Sequence, residues 1–101
     1  MQYNKLVRDK IPEIIKSNGD VPVTHIASDN EYKNKLREKL QEEVKEYLES
    51  SKTEELADIL EVISALADTH QVSFEEIQKS QKDKHEKRGG FKEKIILEET
   101  K

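Results

Sequence analysis

Four carboxylates fall at two short intervals in the middle of the chain. Glu43 and Glu46 form a Glu-x-x-Glu pair, and Glu55 and Asp58 form a Glu-x-x-Asp pair. Residues three positions apart lie on the same side of a helix, so each pair lines one helix edge. Carboxylates held this close repel one another, whereas a hard divalent ion with a preference for oxygen turns the repulsion into coordination. The spacing therefore predicts a divalent-cation site.

Glu43 carries most of this argument because its neighbours on the helix are apolar. Large side chains recur about every four residues and mark the face that must be buried: Tyr32, Leu36, Leu40, Val44, Tyr47 and Leu48. Glu43 lies inside this stripe, with Lys39 and Glu46 on one flank. A carboxylate facing a core is unfavourable unless it is neutralised, paired or bound to a cation. A positive group or ion must therefore meet Glu43.

The second acidic pair borders another apolar face. That face is wide and consists of Leu56, Ile59, Leu60, Ile63, Leu66 and Ala67. Glu55 lies directly beside it, and Asp58 follows one turn later. Because the connection to the preceding helix is short, the two helices are expected to form an antiparallel hairpin that brings their acidic edges together.

Capping patterns locate the helices that must position these acids. The sequences 28–31 and 73–76 are capping boxes, and 51–54 has the same form. Together with the apolar periodicity they predict helices at 29–50, 53–70 and 73–88. A short helix comes earlier, with Asp9 as its N-cap, Pro12 in its first turn and Gly19 closing its end.

Two segments outside the helices have the composition of strands. Residues 21–27 alternate β-branched and other side chains and contain Pro22, which favours a sheet edge. Residues 94–98 follow the Gly89-Gly90 break and are also strand-like. We expect a mainly α protein, an antiparallel helical bundle with a short two-stranded β ribbon formed by these segments.

Composition narrows the class of protein further. The chain has 101 residues, enough for one domain, but only 33% are hydrophobic, so a second copy is expected to complete the core. The net charge of −4 argues against a nucleic-acid binder. No apolar run can span a bilayer and no secretory signal is evident, which favours a cytoplasmic protein without a membrane partner. Cysteine is absent, so thiol chemistry is excluded.

Two further segments, both rich in basic residues, belong to the same pattern as the acids. They are YNKLVRDKIP at 3–12 and KHEKRGGF at 84–91. Together with residues 42–46 and 55–58 they resemble the all-helical nucleotide pyrophosphohydrolases, the MazG-like and phosphoribosyl-ATP pyrophosphohydrolase group, in a small single-domain branch. The resemblance spans nearly the whole chain and implies that 1–101 is a single domain of this kind.

The resemblance implies hydrolysis between the α- and β-phosphates of a nucleotide, giving the monophosphate and pyrophosphate. It implies Mg²⁺ as cofactor, with Mn²⁺ as a substitute, and Glu43, Glu46 and Asp58 as ligands. Glu55 is either a further ligand or the residue that orients the attacking water, which makes Glu43 and Glu55 the catalytic candidates. Glu42 is an additional candidate ligand. One departure is that only eight residues separate Glu46 from Glu55, fewer than usual in that family.

Basic residues must receive the substrate phosphates. Lys84 and Arg88 share one face of the last helix, and Arg8 has the planar fork that suits bidentate phosphate contact. Lys5 and Lys10 are weaker candidates near Arg8. Each has a simpler explanation. The last helix can end in solvated cations that complement its dipole, and Arg8 can pair with Glu13 or with another helix.

Three functions stay open at this point. One is house-cleaning of nucleoside triphosphates by a homodimer or higher homo-oligomer, and another is hydrolysis of phosphoribosyl-ATP in histidine biosynthesis. The third is a non-enzymatic helical interaction module in which the acids are surface charge. Glu43 separates the third from the others, because a simple bundle uses a carboxylate in its apolar seam only to fix register through a buried partner.

Overall fold

The computed structural model describes residues 3–101. In that part the chain forms four helices and no strand: α1 (Ile11–Ser17), α2 (Asp29–Ser50), α3 (Thr53–Thr69) and α4 (Phe74–Arg88). The bounds of the three long helices agree with the predicted ones to within a residue, and the mainly α class is confirmed. None of the described helices is long and apolar enough to cross a membrane.

Local capping sets most of these bounds. The hydroxyl of Ser28 accepts the Glu31 backbone N–H at the start of α2, and Ser73 accepts that of Glu76 at the start of α4. The serine N-caps of two predicted capping boxes are therefore confirmed, but the reciprocal bond from the glutamate side chain is not found among the described residues. The third is wrong, because α3 begins after Lys52, which makes no side-chain cap.

The start of α1 also differs from the prediction. Lys10 is the N-cap residue instead of Asp9, and it makes no side-chain hydrogen bond to the helix. The chain enters α1 through a turn in which the Ile11 N–H donates to the Arg8 carbonyl at 3.0 Å, so no aspartate cap is needed. Pro12 lies in the first turn, and Gly19 follows the end of the helix with φ +90°.

The hairpin of α2 and α3 is the centre of the fold. Ser51 ends α2 in the left-handed conformation, φ +56°, and its N–H donates to the Tyr47 carbonyl at 2.7 Å. Ser51 and Lys52 alone connect the two helices, so they run antiparallel and pack against each other. Buried apolar side chains along this contact include Leu36, Val62 and Ala67. α4 packs only against α3, and α1 approaches no other described helix.

The predicted apolar stripe is only partly covered in one chain. Leu36 is 2% exposed, whereas Val44 is partly exposed and Leu48 is 72% exposed at the loop end of α2. On α3, Leu56 and Leu60 are also exposed. The hairpin seam is therefore closed away from the loop, while the apolar side chains near the loop have no covering element.

The predicted β ribbon is not found in the described residues. Segments 21–27 and 94–98 are both irregular, and their apolar side chains, such as Val23 and Ile95, are exposed. Pro22 has no N–H to donate to a ladder. Lys94 has φ +58°, which breaks the extended geometry at the start of the second segment.

The dimensions of the chain show how incomplete its core is. The accessible surface is 9570 Å², against about 5,900 Å² for a compact monomer of this mass. The radius of gyration is 17.9 Å, compared with about 13 Å for a compact domain of this length. Of the predicted helical bundle, the described residues of one chain form only the α2–α3 hairpin, with α4 packed against α3.

Candidate metal centre

The four predicted carboxylates meet on the α2–α3 hairpin, toward its loop. Carboxylate oxygens of Glu43, Glu55 and Asp58 all lie within 4.8 Å of one another, and so do those of Glu42, Glu43 and Glu46. Glu43 belongs to both groups. The tight connection at Ser51 is what brings the edge of α2 that carries Glu46 beside the start of α3. We call these five side chains the acidic cluster.

Glu43 is the buried member of the acidic cluster, at 7% exposure, as the apolar stripe predicted. Its Oε1 lies 3.5 Å from the Lys39 Nζ. Its Oε2 is buried, and no residue of the described range 3–101 gives it a hydrogen bond. A buried carboxylate oxygen without a partner is costly, and coordination by a cation is one way to satisfy it.

Two carboxyl groups of the cluster resist ionisation. Burial raises the pKa of Glu43, the adjacent Glu46 raises it further, and Lys39 opposes both. The pKa of Glu55 is also raised, first by loss of solvation and then by Asp58. Both shifts show that negative charge at this site is under-compensated, which is the condition that favours a bound cation.

Two lysines offset part of the negative charge of the acidic cluster. Lys39 lies 3.6 Å from Glu42 as well as beside Glu43, and Lys5 Nζ is 3.6 Å from the other oxygen of Glu42. Lys39 is thus the positive group that we expected beside Glu43 from its position in the apolar stripe. The i, i+4 spacing of Lys39 and Glu43 is the sequence signal for this pair.

Arg8 makes the shortest ion pair at the cluster. Its guanidinium donates to Asp58 Oδ1 at 2.7 Å, joining the segment before α1 to α3. Of the two simpler partners considered for Arg8, Glu13 or another helix, the structure shows the second. The same contact places Arg8 beside the predicted metal site, whereas its predicted role in binding phosphate stays a prediction.

The donor set fits a hard divalent ion such as Mg²⁺. All the converging donors are carboxylate oxygens, the type that Mg²⁺ prefers, and Glu46, Glu55 and Asp58 are half-buried, so one side of the cluster stays open to solvent. The Oε2 of Glu43 is a buried carboxylate oxygen for which a cation would supply the missing partner. The residues therefore suit an ion that keeps several waters and can accept phosphate oxygens.

The two predicted phosphate-binding residues of α4 do not reach the cluster within one chain. Lys84 and Arg88 are exposed, and neither makes an ion pair or hydrogen bond among the described residues. α4 packs against α3 but not against α2. Gly89, which follows Arg88, has φ +80° and ends the helix. Their role as phosphate ligands stays a prediction.

Comparison with known proteins gives one partial match. No protein-family model and no solved structure match the chain. An uncharacterised protein of Mycolicibacterium smegmatis is 52% identical over 42 residues, which is 42% of this chain and 43% of that protein. The match thus spans less than half of the relative, and the relative's name assigns no activity.

Proposed function

We propose that this chain is a Mg²⁺-dependent nucleotide pyrophosphohydrolase that cleaves the α–β phosphate linkage of a ribo- or deoxyribonucleoside triphosphate, in a house-cleaning role. The observation that carries the proposal is Glu43. Its carboxylate is buried in the seam of the hairpin, keeps one oxygen without a partner and is shared by both groups of converging acids. A surface charge has none of these properties. The sequence resemblance supports the same activity.

The sequence resemblance suggests the roles of the acids, and their positions in the acidic cluster are compatible with these roles. Glu43, Glu46 and Asp58 would hold Mg²⁺, which when bound neutralises phosphate oxygens and favours ionisation of a coordinated water. Glu55 is half-buried at the edge of the cluster, so its carboxylate can contact both the ion site and solvent. Its raised pKa makes it a better proton acceptor than an ordinary glutamate, which suits a residue that orients water.

The proposal includes a second copy of the chain. Val44 and Leu48 of α2 and Leu56 and Leu60 of α3 are exposed near the acidic cluster. Packing two hairpins through these faces would complete a four-helix core and remove part of the surplus accessible surface. Substrate would then lie near the subunit boundary, beside the open side of the cluster.

One observation favours a second candidate, a non-enzymatic helical module. Lys39 partly satisfies Glu43, and a buried ion pair of this kind can fix the register of a bundle. The free Oε2 of Glu43 argues against it, because a register-fixing pair gains nothing from an unsatisfied oxygen. Phosphoribosyl-ATP is an alternative substrate for the same site.

The test is pyrophosphate release from a panel of ribo- and deoxyribonucleoside triphosphates and phosphoribosyl-ATP, with and without Mg²⁺. The wild type is compared with Glu43→Gln and with a matched control, Glu49→Gln, an exposed glutamate of the same helix. The proposal requires release that depends on Mg²⁺, survives Glu49→Gln and is lost in Glu43→Gln. Absence of release from every substrate, with a folded wild type, would leave the helical module as the better account.

A further inference from the structure

The segment before α1 runs across the hairpin next to the acidic cluster. We call residues 3–10 the N-terminal strap. The Asn4 carbonyl accepts a hydrogen bond from Lys35 Nζ at 2.8 Å, and Asn4 bends the chain with φ +47°. Lys5 then pairs with Glu42 of α2, and Arg8 pairs with Asp58 of α3. The strap thus places two cations over the acids.

The attachment of the strap at Arg8 is weak enough to exchange. The side chains of Arg8 and Asp58 are 56% and 40% exposed, and exposed ion pairs contribute little to stability. The helix that follows the strap approaches no other described helix, so helix packing beyond the strap does not fix Arg8 in place. Breaking this contact costs the fold little.

A divalent ion and Arg8 compete for the same carboxylate. Asp58 lies in the group with Glu43 and Glu55, each of which offers one oxygen within 4.8 Å of the others. Glu43 is the buried member of this group, and its Oε2 receives no hydrogen bond from the described residues. An ion in that group is within a few ångströms of the guanidinium that holds Asp58, and like charges at such distances repel. The ion then neutralises the Asp58 carboxylate that Arg8 pairs with, and it also repels the Arg8 guanidinium.

We propose that Arg8 is a tethered cation that yields Asp58 to the divalent ion and moves onto a phosphate oxygen of the bound nucleotide. The guanidinium fork can bind phosphate through two hydrogen bonds, which a lone aspartate oxygen does not provide. This inference rests on the proposed function for its second step. Its first step, exchange between Arg8 and the ion, concerns this chain alone.

The first step is tested by calorimetric titration of the full chain with MgCl₂ and no nucleotide, at low ionic strength. Arg8→Gln removes the competitor and should tighten Mg²⁺ binding roughly threefold to fivefold, the factor expected for an exposed ion pair. Lys16→Gln is the matched control, since it removes the same charge from an exposed position of α1, and no ion pair joins Lys16 to the acidic cluster among the described residues. It should change the affinity by less than about twofold, because its charge is screened.

The second step is tested with the α,β-methylene analogue of ATP at saturating Mg²⁺. Arg8→Gln should weaken its binding roughly tenfold, since a charge-assisted bidentate contact is lost, and Arg8→Lys should give an intermediate loss. Opposite effects on the ion and on the nucleotide are the signature of exchange.

Three outcomes would overturn the inference. Weaker Mg²⁺ binding in Arg8→Gln would show that Arg8 positions Asp58 for the ion. Equal effects of the Arg8 and Lys16 substitutions would show that only the net charge of the chain matters, and no Mg²⁺ binding by either protein would leave nothing to exchange. Tighter Mg²⁺ binding without hydrolysis of any substrate would retain the first step and refute the proposed function.

Discussion

Lys39 lies one helical turn before Glu43 on α2, and its Nζ is 3.5 Å from one oxygen of that carboxylate. The other oxygen of Glu43 is buried without a partner. Lys39 therefore satisfies only one of the two oxygens of Glu43, and the pKa of Glu43 is raised by burial and by Glu46 in spite of this contact. This imbalance makes the stability of the chain depend on Glu43 in ways that can be measured.

Glu43→Gln should stabilise the fold when no divalent ion is present. The substitution keeps the shape of the side chain but removes a desolvated charge, and we expect the free energy of unfolding at neutral pH to rise by about 1–3 kcal/mol. Urea denaturation in EDTA measures it, with Glu49→Gln as the exposed control. A destabilised Glu43→Gln would show that the Lys39 pair outweighs the buried charge.

The same imbalance sets a pH dependence. The folded state holds the Glu43 proton to a higher pH than the unfolded chain, whose glutamate pKa is close to the ordinary value of 4.5. Between these two values the folded state binds more protons, so stability is present below the unfolded pKa and is lost as pH rises through the folded one. The difference in melting temperature between Glu43→Gln and wild type should therefore grow with pH over this window. A constant difference would contradict the raised pKa.

Mg²⁺ should reverse the instability of the wild type. An ion that binds only the folded chain stabilises it by about 2.7 kcal/mol at a concentration one hundred times its Kd. The melting temperature should rise with MgCl₂ in wild type and in Glu49→Gln, but not in Glu43→Gln or Asp58→Asn. NaCl at matched ionic strength controls for screening, and an equal rise in all four proteins would argue against a specific site.

The turn at Ser51 should control both stability and the metal site. A left-handed serine is strained, so Ser51→Gly should stabilise the chain by about 0.5–1 kcal/mol. Ser51→Pro fixes φ near −65° and removes the N–H that donates to Tyr47, so we expect a loss of about 3 kcal/mol or more. Thermal melts measure both changes in stability, and Mg²⁺ titration of the folded fraction of Ser51→Pro measures the effect on the metal site. Mg²⁺ affinity that survives Ser51→Pro would show that the connection does not position the acids.

The proposed contact between two copies of the chain can be tested at the exposed apolar side chains near the loop. Leu48→Lys should lower the sedimentation coefficient toward that of a monomer, because a charge replaces a side chain expected in the subunit contact. Val23→Lys is the control, since Val23 is almost fully exposed in the irregular segment before α2. A wild type that sediments as a monomer at micromolar concentration, or a Leu48→Lys that sediments like a dimeric wild type, would contradict the contact.

The sequence predicted the features that depend on interactions between residues close together in the chain, namely the helix starts and the burial of Glu43. Ser28 and Ser73 define helix starts through hydrogen bonds three residues away, and the burial of Glu43 follows from the period of its own helix. The contact between Arg8 and Asp58 joins segments fifty positions apart and leaves no periodic trace in the sequence. The exposure of Leu48 was also unpredictable from periodicity, because a stripe shows which face is apolar but not which element covers it.

The two-residue connection between α2 and α3 also affects how the chain folds. The paired acids all fall within residues 43–58, so their convergence requires only the closure of one helical hairpin, a contact of low sequence separation of the kind that favours fast folding. Closing that hairpin also brings like charges together. The electrostatic barrier to folding is therefore concentrated in the step that creates the candidate site, and cations in the medium act on the rate of that step as well as on the finished fold.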